Sequence, residues 1–497
     1  MKTHPGKPGA GQLERTLDFL IRGGLLLILV LAPLPFGSVE TWAYSALELG
    51  VALLGLLYLY RLFLFPSTPV VFSRLLLAPV GFLLLMGIQL VPLPPGLLRA
   101  ISPCTAALYA QTIPGYSEQT RDIAATDAAA LDEPVPRTAR WRPLSQAPFA
   151  TRTYLLKGVA FTLFLFLFLN SFREAKQVRR LLYVFVGAGT FQAFYGLLEY
   201  LSGHQHIFAY QKKYYLEAAT GTFINRNHFA AFLEMSLLVA LGLLFSRLRT
   251  SLIVETWRER LIALTDRRAS LNLTLLLCIG ILAIGLVLSY SRAGIILGLA
   301  AAGCFCLMQF WRGWSLKKTL LVSLLAVSVF IPAYGVGYWT LTGRYAVLTE
   351  EFSVPGGRWA VWRETAEIAR DYPLLGTGVG TFQYVFPRYR EATTTAYYDY
   401  THNDYLQVVS ESGVAGGILL LLGVASLARL WRRSVGFPGE GAVILSACGF
   451  ALLAVALHEV VDFGLQIPAN LVALTFLAGC LATMSAHASR ASEIRHG

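Results

Sequence analysis

Four groups of polar side chains interrupt an otherwise apolar chain, and their residue types can do chemistry. "THNDYLQVV" carries His402, Asn403 and Asp404 at the start of a long hydrophobic run. "GTFINRNHFAAFLEM" carries Asn225, Arg226, Asn227 and His228, and "LSYSRAGIILG" carries Ser289, Tyr290, Ser291 and Arg292. "LHEVVDFGLQIPAN" contributes His458, Glu459, Asp462, Gln466 and Asn470, while Arg358 and Arg363 stand in the long segment ahead of His402. Arginine offers a planar fork that suits bidentate binding of phosphate oxygens, and it stays charged in a partly desolvated site. Arg292, Arg358 and Arg226 are the candidates for that role. Histidine has a reference pKa of about 6.5, so His402 suits proton transfer from a hydroxyl near neutral pH. Asp404, Asp462 and Glu411 are candidates to orient its imidazole. Arginines for a diphosphate beside a histidine for a hydroxyl describe glycosyl transfer from a lipid diphosphate.

Each group also has a structural reading. Arg292 could hold a helix end at a membrane interface, and His228 with Asn225 and Asn227 could cap a helix. His458 and Asp462 lie four apart on one helical face and could simply pair. His402 could be an interfacial histidine at a helix start, with Asn403 or Asp404 as the N-cap. Other chemistries fit less well. "GTGVG" at 376–380 resembles a phosphate loop only superficially, because no Lys-Ser/Thr pair follows and no strand precedes it. "GHQH" supplies His204 and His206, and two ligands are a weak metal signal, so no metal site is assigned. The outer loops hold no Gly-x-Ser-x-Gly elbow and no Cys/His nucleophile pairing.

The elements that must position these groups are membrane helices. The chain has 497 residues, 55% hydrophobic and only 14% charged, against roughly a quarter charged in soluble domains. Runs of about 20 apolar residues recur, each long enough to cross a hydrocarbon core about 30 Å thick. No β-barrel alternation is present, so the expectation is an all-α polytopic membrane protein. The spans are placed at 17–36, 42–65, 74–92, 153–170, 178–201, 223–246, 270–290, 292–311, 318–340, 403–428, 441–460 and 465–485. The division at 290–292 is the least distinct.

Short basic connections alternate with the others: Arg61 and Arg74, Arg173 to Arg180, Arg247 to Arg268, Arg312 to Lys318, and Arg429 to Arg433. The positive-inside rule makes these cytoplasmic, together with both termini, and reads the N-terminal leader as uncleaved. The net charge of +12 is then mostly a topological signal, and dispersed basic residues argue against a nucleic-acid partner. All four polar groups fall on the opposite side. Five cysteines lie within predicted spans and Cys104 lies in an external loop, so no disulfide framework is drawn. By chain order the expected parts are helices 1–3 (1–92), an external insertion (93–152), helices 4–9 (153–340), an external catalytic loop (341–402), and helices 10–12 with a tail (403–497).

These residues resemble the O-antigen ligase and O-antigen polymerase superfamily of bacterial inner-membrane glycosyltransferases. The resemblance covers roughly residues 220–470. Its most specific element is His402-Asn403, nine residues, then Gly413, two residues and Gly416. "RDYPLLGTGVGTF", "SRAG" and "HEVVDF" add to it, and "NRNHFAAFLEM" looks like the exopolysaccharide branch. The resemblance implies a GT-C-like fold of about twelve helices with a large periplasmic loop between helices 9 and 10. It implies an undecaprenyl-diphosphate-linked oligosaccharide donor, a glycan or lipid A core acceptor, a chain-length regulator as a partner protein, and neither cofactor nor metal. His402 matches the catalytic histidine, Arg292 and Arg358 match the two diphosphate-binding arginines, and Asp462 matches a later acidic position. Asp404 is grouped with the catalytic residues. Asn225, Arg226, His228, Arg363, Asn403 and His458 complete the expected substrate-binding set. A transporter or flippase is the competing class, but such proteins place ionisable groups near the midplane of repeated halves, and no repeat is visible.

Overall fold

The computed structural model describes residues 10–113, 116, 141–249, 267–313, 357–391, 397–435 and 439–496. In chain order its helices are α1 (Ala10–Leu31), α2 (Thr41–Leu64), α3 (Leu77–Leu90), α4 (Pro95–Ile101), α5 (Pro103–Thr112), α6 (Pro148–Ser171), α7 (Ala175–Ser202) and α8 (Arg226–Arg249). They continue with α9 (Arg267–Leu288), α10 (Arg292–Trp311), α11 (Arg358–Asp371), α12 (Phe382–Val385), α13 (Asp404–Val435), α14 (Glu440–His458) and α15 (Pro468–His496). The described strands form two short antiparallel pairs, β1 (Pro92–Leu93) with β2 (Arg142–Pro143) and β3 (His206–Ile207) with β4 (Tyr210–Gln211).

Nine helices among the described residues are long and apolar enough to cross a membrane. The chain is therefore an all-α, multi-pass membrane protein, as its composition predicts. The expected span 318–340 lies outside the described residues, and every other expected span contains a helix. α1 runs from Ala10 and stops at Leu31, short of the predicted 36, because Pro33 and Pro35 cannot continue it. The division at 290–292 is real: Tyr290 adopts φ 52, a left-handed conformation that ends α9 before Arg292 opens α10.

The chain forms two compact units. The larger comprises residues 1–76, 160–345 and 425–497. Its central helix is α8, buried over its whole apolar window and packed by α7, α9, α10, α14 and α15. A helix surrounded on every side must be apolar nearly all round, and "HFAAFLEMSLLVALGLLF" is so except for His228, Glu234 and Ser236. Basic residues at the helix ends of this unit find partners on other segments. Arg61 pairs with Glu14 and Asp18, Arg173 donates to the Pro69 carbonyl at 2.5 Å, and Arg179 meets Glu440 at 2.9 Å.

The smaller unit comprises residues 77–159 and 346–424. Val361 and Ile368 of α11 form its core with Tyr372, Phe382, Val385 and Phe386. A second cluster joins Leu98, Ala106, Tyr109, Tyr116 and Leu144. Described parts of the 93–152 insertion are thus ordered, and they brace the 375–380 turn. Gln146 N–H donates to the Thr377 carbonyl at 3.0 Å, and Gln89 Nε2 donates to the carbonyls of Leu375 at 2.7 Å and Glu411 at 2.9 Å.

Candidate functional site

In the smaller unit a short turn presents His402 at the head of α13. Asn403 is the N-cap: its Oδ1 accepts from Leu406 N–H at 3.0 Å. Gln407 reaches back to accept from Thr401 N–H at 3.2 Å, and Thr401 Oγ1 donates to the Asn403 carbonyl at 2.6 Å. Held between these bonds, His402 adopts φ 53. Such a left-handed conformation costs a non-glycine residue about 1–2 kcal/mol, and strain of this kind concentrates at functional sites. Asp404 is buried in the first turn, where a carboxylate is favoured by the helix dipole.

The same turn is tied to the helix that Arg358 opens. Trp362 Nε1 on α11 donates to the Thr401 carbonyl at 3.1 Å. Tyr398 lies edge-on to His402, with ring centroids 6.0 Å apart and planes at 89°. Burial pushes the Tyr398 phenol upward, Glu364 adds to that, and Arg358 is near enough to oppose it. Tyr398 thus packs against His402 and feels the charge of Arg358. Tyr398 escaped the sequence reading, although the aromatic run "YYDY" directly ahead of the histidine was its signal.

Glu411, a sequence candidate for orienting the imidazole, does something else. Its two carboxylate oxygens accept from Gly380 N–H and Phe382 N–H, each at 2.8 Å. It thereby holds the "GTGVG" turn, which is a structural brace rather than a phosphate loop. The spacing from His402 to Gly413 also gains a physical cause. Gly413 breaks α13 at φ 62, ψ −162, and Val414 N–H then bonds the Pro373 carbonyl at 2.8 Å. A Cβ there would lie 2.4 Å from the Leu374 backbone. The neighbour of this glycine is the backbone of a loop. Gly413→Ala should destabilise the protein by about 2–5 kcal/mol through left-handed strain and overpacking. A thermal unfolding midpoint equal to that of the unsubstituted protein would refute this role.

In the larger unit the other three polar groups converge. His458 Nδ1 lies 2.7 Å from Glu234 Oε1, both side chains fully buried. Asp462 stands between two histidines, 3.9 Å from His228 Nε2 and 3.9 Å from His458 Nε2. Asn470 Nδ2 donates to the His228 carbonyl at 3.1 Å. The first turn of α10 packs on the same carboxylate: a Cβ at Gly294 would come within 3.0 Å of Glu234 Oε1. Glu234 is thus the centre of the cluster and was missed in the sequence. A carboxylate in the middle of an apolar span was the available signal.

Arg226, Arg292 and Arg358 share a position. Each is the first residue of its helix, opening α8, α10 and α11 respectively. Asn225 caps α8 by accepting from Asn227 N–H at 2.8 Å, and Ser291 caps α10 by accepting from Gly294 N–H. A cation at a helix N-terminus opposes the dipole by about 0.3–1 kcal/mol. An anion there is favoured by the dipole and by the outward N–H groups. Guanidinium and helix end together suit a phosphate. Arg226 also lies over the Tyr215 ring, 5.4 Å from its centroid. Arg363 is placed differently, in an exposed ion pair with Glu391 at 2.5 Å; exposed pairs of this kind contribute about 0–1 kcal/mol.

Among the described residues, one set of metal-ligating side chains gathers: Glu199, His204 and His206. The sequence reading left the two histidines without a metal because the third ligand was not apparent. Comparison with known proteins gives one family match. Residues 276–421, which include Arg292, Arg358 and His402, match the family model described as O-Antigen ligase. No curated protein matches the chain.

Proposed function

Because the chain carries a domain of the O-antigen ligase and polymerase superfamily, we propose that it transfers an undecaprenyl-diphosphate-linked oligosaccharide to a sugar hydroxyl, elongating a polysaccharide. Glycan transfer of the ligase or polymerase type is what the domain supports in general. The observation that carries the finer reading is the location of the cations. Three arginines each open a helix, and the helix that Arg358 opens is tied through Trp362 to the turn that holds the strained His402.

In the proposed reaction, His402 takes the proton of the acceptor hydroxyl. The freed oxygen attacks the anomeric carbon of the donor sugar. The bond from that carbon to the diphosphate oxygen breaks, and the lipid diphosphate departs with the electron pair. The family resemblance assigns the diphosphate, and the charge that grows on it, to Arg292 and Arg358, with Arg226 a further candidate. Guanidinium groups supply this positive charge, so the scheme asks for no metal. Asp404 supports the turn that holds His402, and the buried cluster of Asp462, His228, His458 and Glu234 fixes the ends of α8 and α14 beside the start of α10. The alternation of basic connections along the chain supports cytoplasmic termini, and the family resemblance supports a reaction on the periplasmic face of a bacterial inner membrane.

Purified protein given a defined undecaprenyl-diphosphate oligosaccharide tests the proposal directly. A ladder of products without any other acceptor is the expected result. A single addition that requires lipid A core would assign a ligase instead. No transfer to either acceptor, by protein that remains folded, would overturn the reading.

A further inference from the structure

We propose that Glu199, His204 and His206 form a binding site for a first-row divalent cation, best matched by zinc. Glu199 stands in the last turn of α7, and Gly203 ends that helix in a left-handed C-cap. The chain then turns back on itself. Gln205, between the two histidines, adopts φ 44, a conformation that brings both imidazoles to one side. The rings stack with centroids 4.1 Å apart. His206 N–H donates to Glu199 Oε2 at 2.7 Å, and His204 Nδ1 lies 3.6 Å from that same oxygen. One ligand atom from each residue lies within 4.8 Å of the other two.

The chemistry of the set is selective. Two imidazoles and a carboxylate with an open fourth position are a zinc ligand set. Tetrahedral zinc holds its ligand atoms about 3.4 Å apart, given metal–ligand distances of about 2.0–2.2 Å. His206 Nδ1 hydrogen-bonds the His204 carbonyl. A carbonyl can only accept, so Nδ1 carries the proton and Nε2 keeps the lone pair. Ligating histidines have their tautomer fixed in this way. His204 is 64% exposed and Glu199 only 16% exposed, so the group is anchored on the protein and open to solvent.

The ion would have a structural role, and no step of glycan transfer runs through it. It would clamp the β3–β4 hairpin, which begins at His206, onto the end of α7. The neighbouring Tyr200 hydroxyl bonds that of Tyr290 at 2.8 Å, two residues before Arg292. A clamp at Glu199 therefore stiffens the corner that presents one of the helix-opening arginines.

The test uses the full chain in detergent, purified without a polyhistidine tag. Zinc content is measured after dialysis against Zn²⁺, and Co²⁺ is followed by its visible absorption. The expected result is about one ion per chain and a tetrahedral Co²⁺ spectrum. Both should be lost in His204→Ala, His206→Ala and Glu199→Gln, and both should persist in His487→Ala. Changing groups around metal ligands costs about 10–100-fold in affinity, so removing a ligand should cost at least about 100-fold. Hydrogen exchange on the unsubstituted protein supplies a readout that needs no variant: Zn²⁺ should slow exchange across residues 203–211. Absence of stoichiometric zinc, equal zinc retention in all three ligand variants, or unchanged exchange with zinc bound would each overturn the proposal.

Discussion

His402→Asn should abolish glycan transfer while leaving the protein folded and inserted. Asparagine tolerates the left-handed backbone that His402 occupies at φ 53, so it preserves the turn between Thr401 and Asn403. It has no titratable ring, and loss of a general base lowers rates by about 10²–10⁴-fold. His402→Ala should lose the same activity and, in addition, some stability, since alanine carries the left-handed cost of about 1–2 kcal/mol without local hydrogen bonding. The pair of variants separates chemistry from backbone. Transfer by His402→Asn at the rate of the unsubstituted protein, measured on a defined lipid-diphosphate donor, would remove His402 from the reaction.

The second large effect is expected from Arg358→Lys and Arg292→Lys. Lysine keeps the charge but presents a point donor where arginine presents a fork. Loss of one charge-assisted hydrogen bond is worth about 1.5–3 kcal/mol, or about 10- to 150-fold. Each substitution should lower kcat/KM by that amount. If the bond strengthens as charge moves onto the diphosphate, kcat should fall together with kcat/KM. Both arginines open helices, so the substitutions leave the helix-end contribution in place and probe the guanidinium alone. Arg363→Lys is the matched control, because its exposed pair with Glu391 should make the change nearly silent. Unchanged kcat/KM in both Arg358→Lys and Arg292→Lys would refute a diphosphate clamp.

Much of this architecture is legible in the residues. Run length and low charge predict membrane helices, and Asn225, read as part of a helix cap, caps α8 in the structure. The His402-Asn403 pair also announces itself, as does the "SRAG" corner with Arg292. The expected span 292–311 already starts at Arg292, whereas the expected span 223–246 does not start at Arg226. Other features could not be read along the chain. The left-handed state of His402 depends on Gln407 and on Trp362, one on either side of it in sequence. Glu411 looks like a partner for an imidazole until its oxygens are found on the backbone of residues 380–382. The third ligand beside "GHQH" lies on the preceding helix, where sequence offers only an ordinary glutamate.

By itself, the sequence determined that this protein is a bundle of membrane helices with its candidate site residues at helix ends. Each helix satisfies its own backbone hydrogen bonds and each apolar run sets its own length, so both properties are local. The tertiary structure alone decided which polar groups meet. Glu234 and His458 are 224 positions apart, and Gln89 reaches a carbonyl 286 positions away. A buried polar group must find a partner wherever packing brings one, and local pattern carries no record of which distant residue that will be.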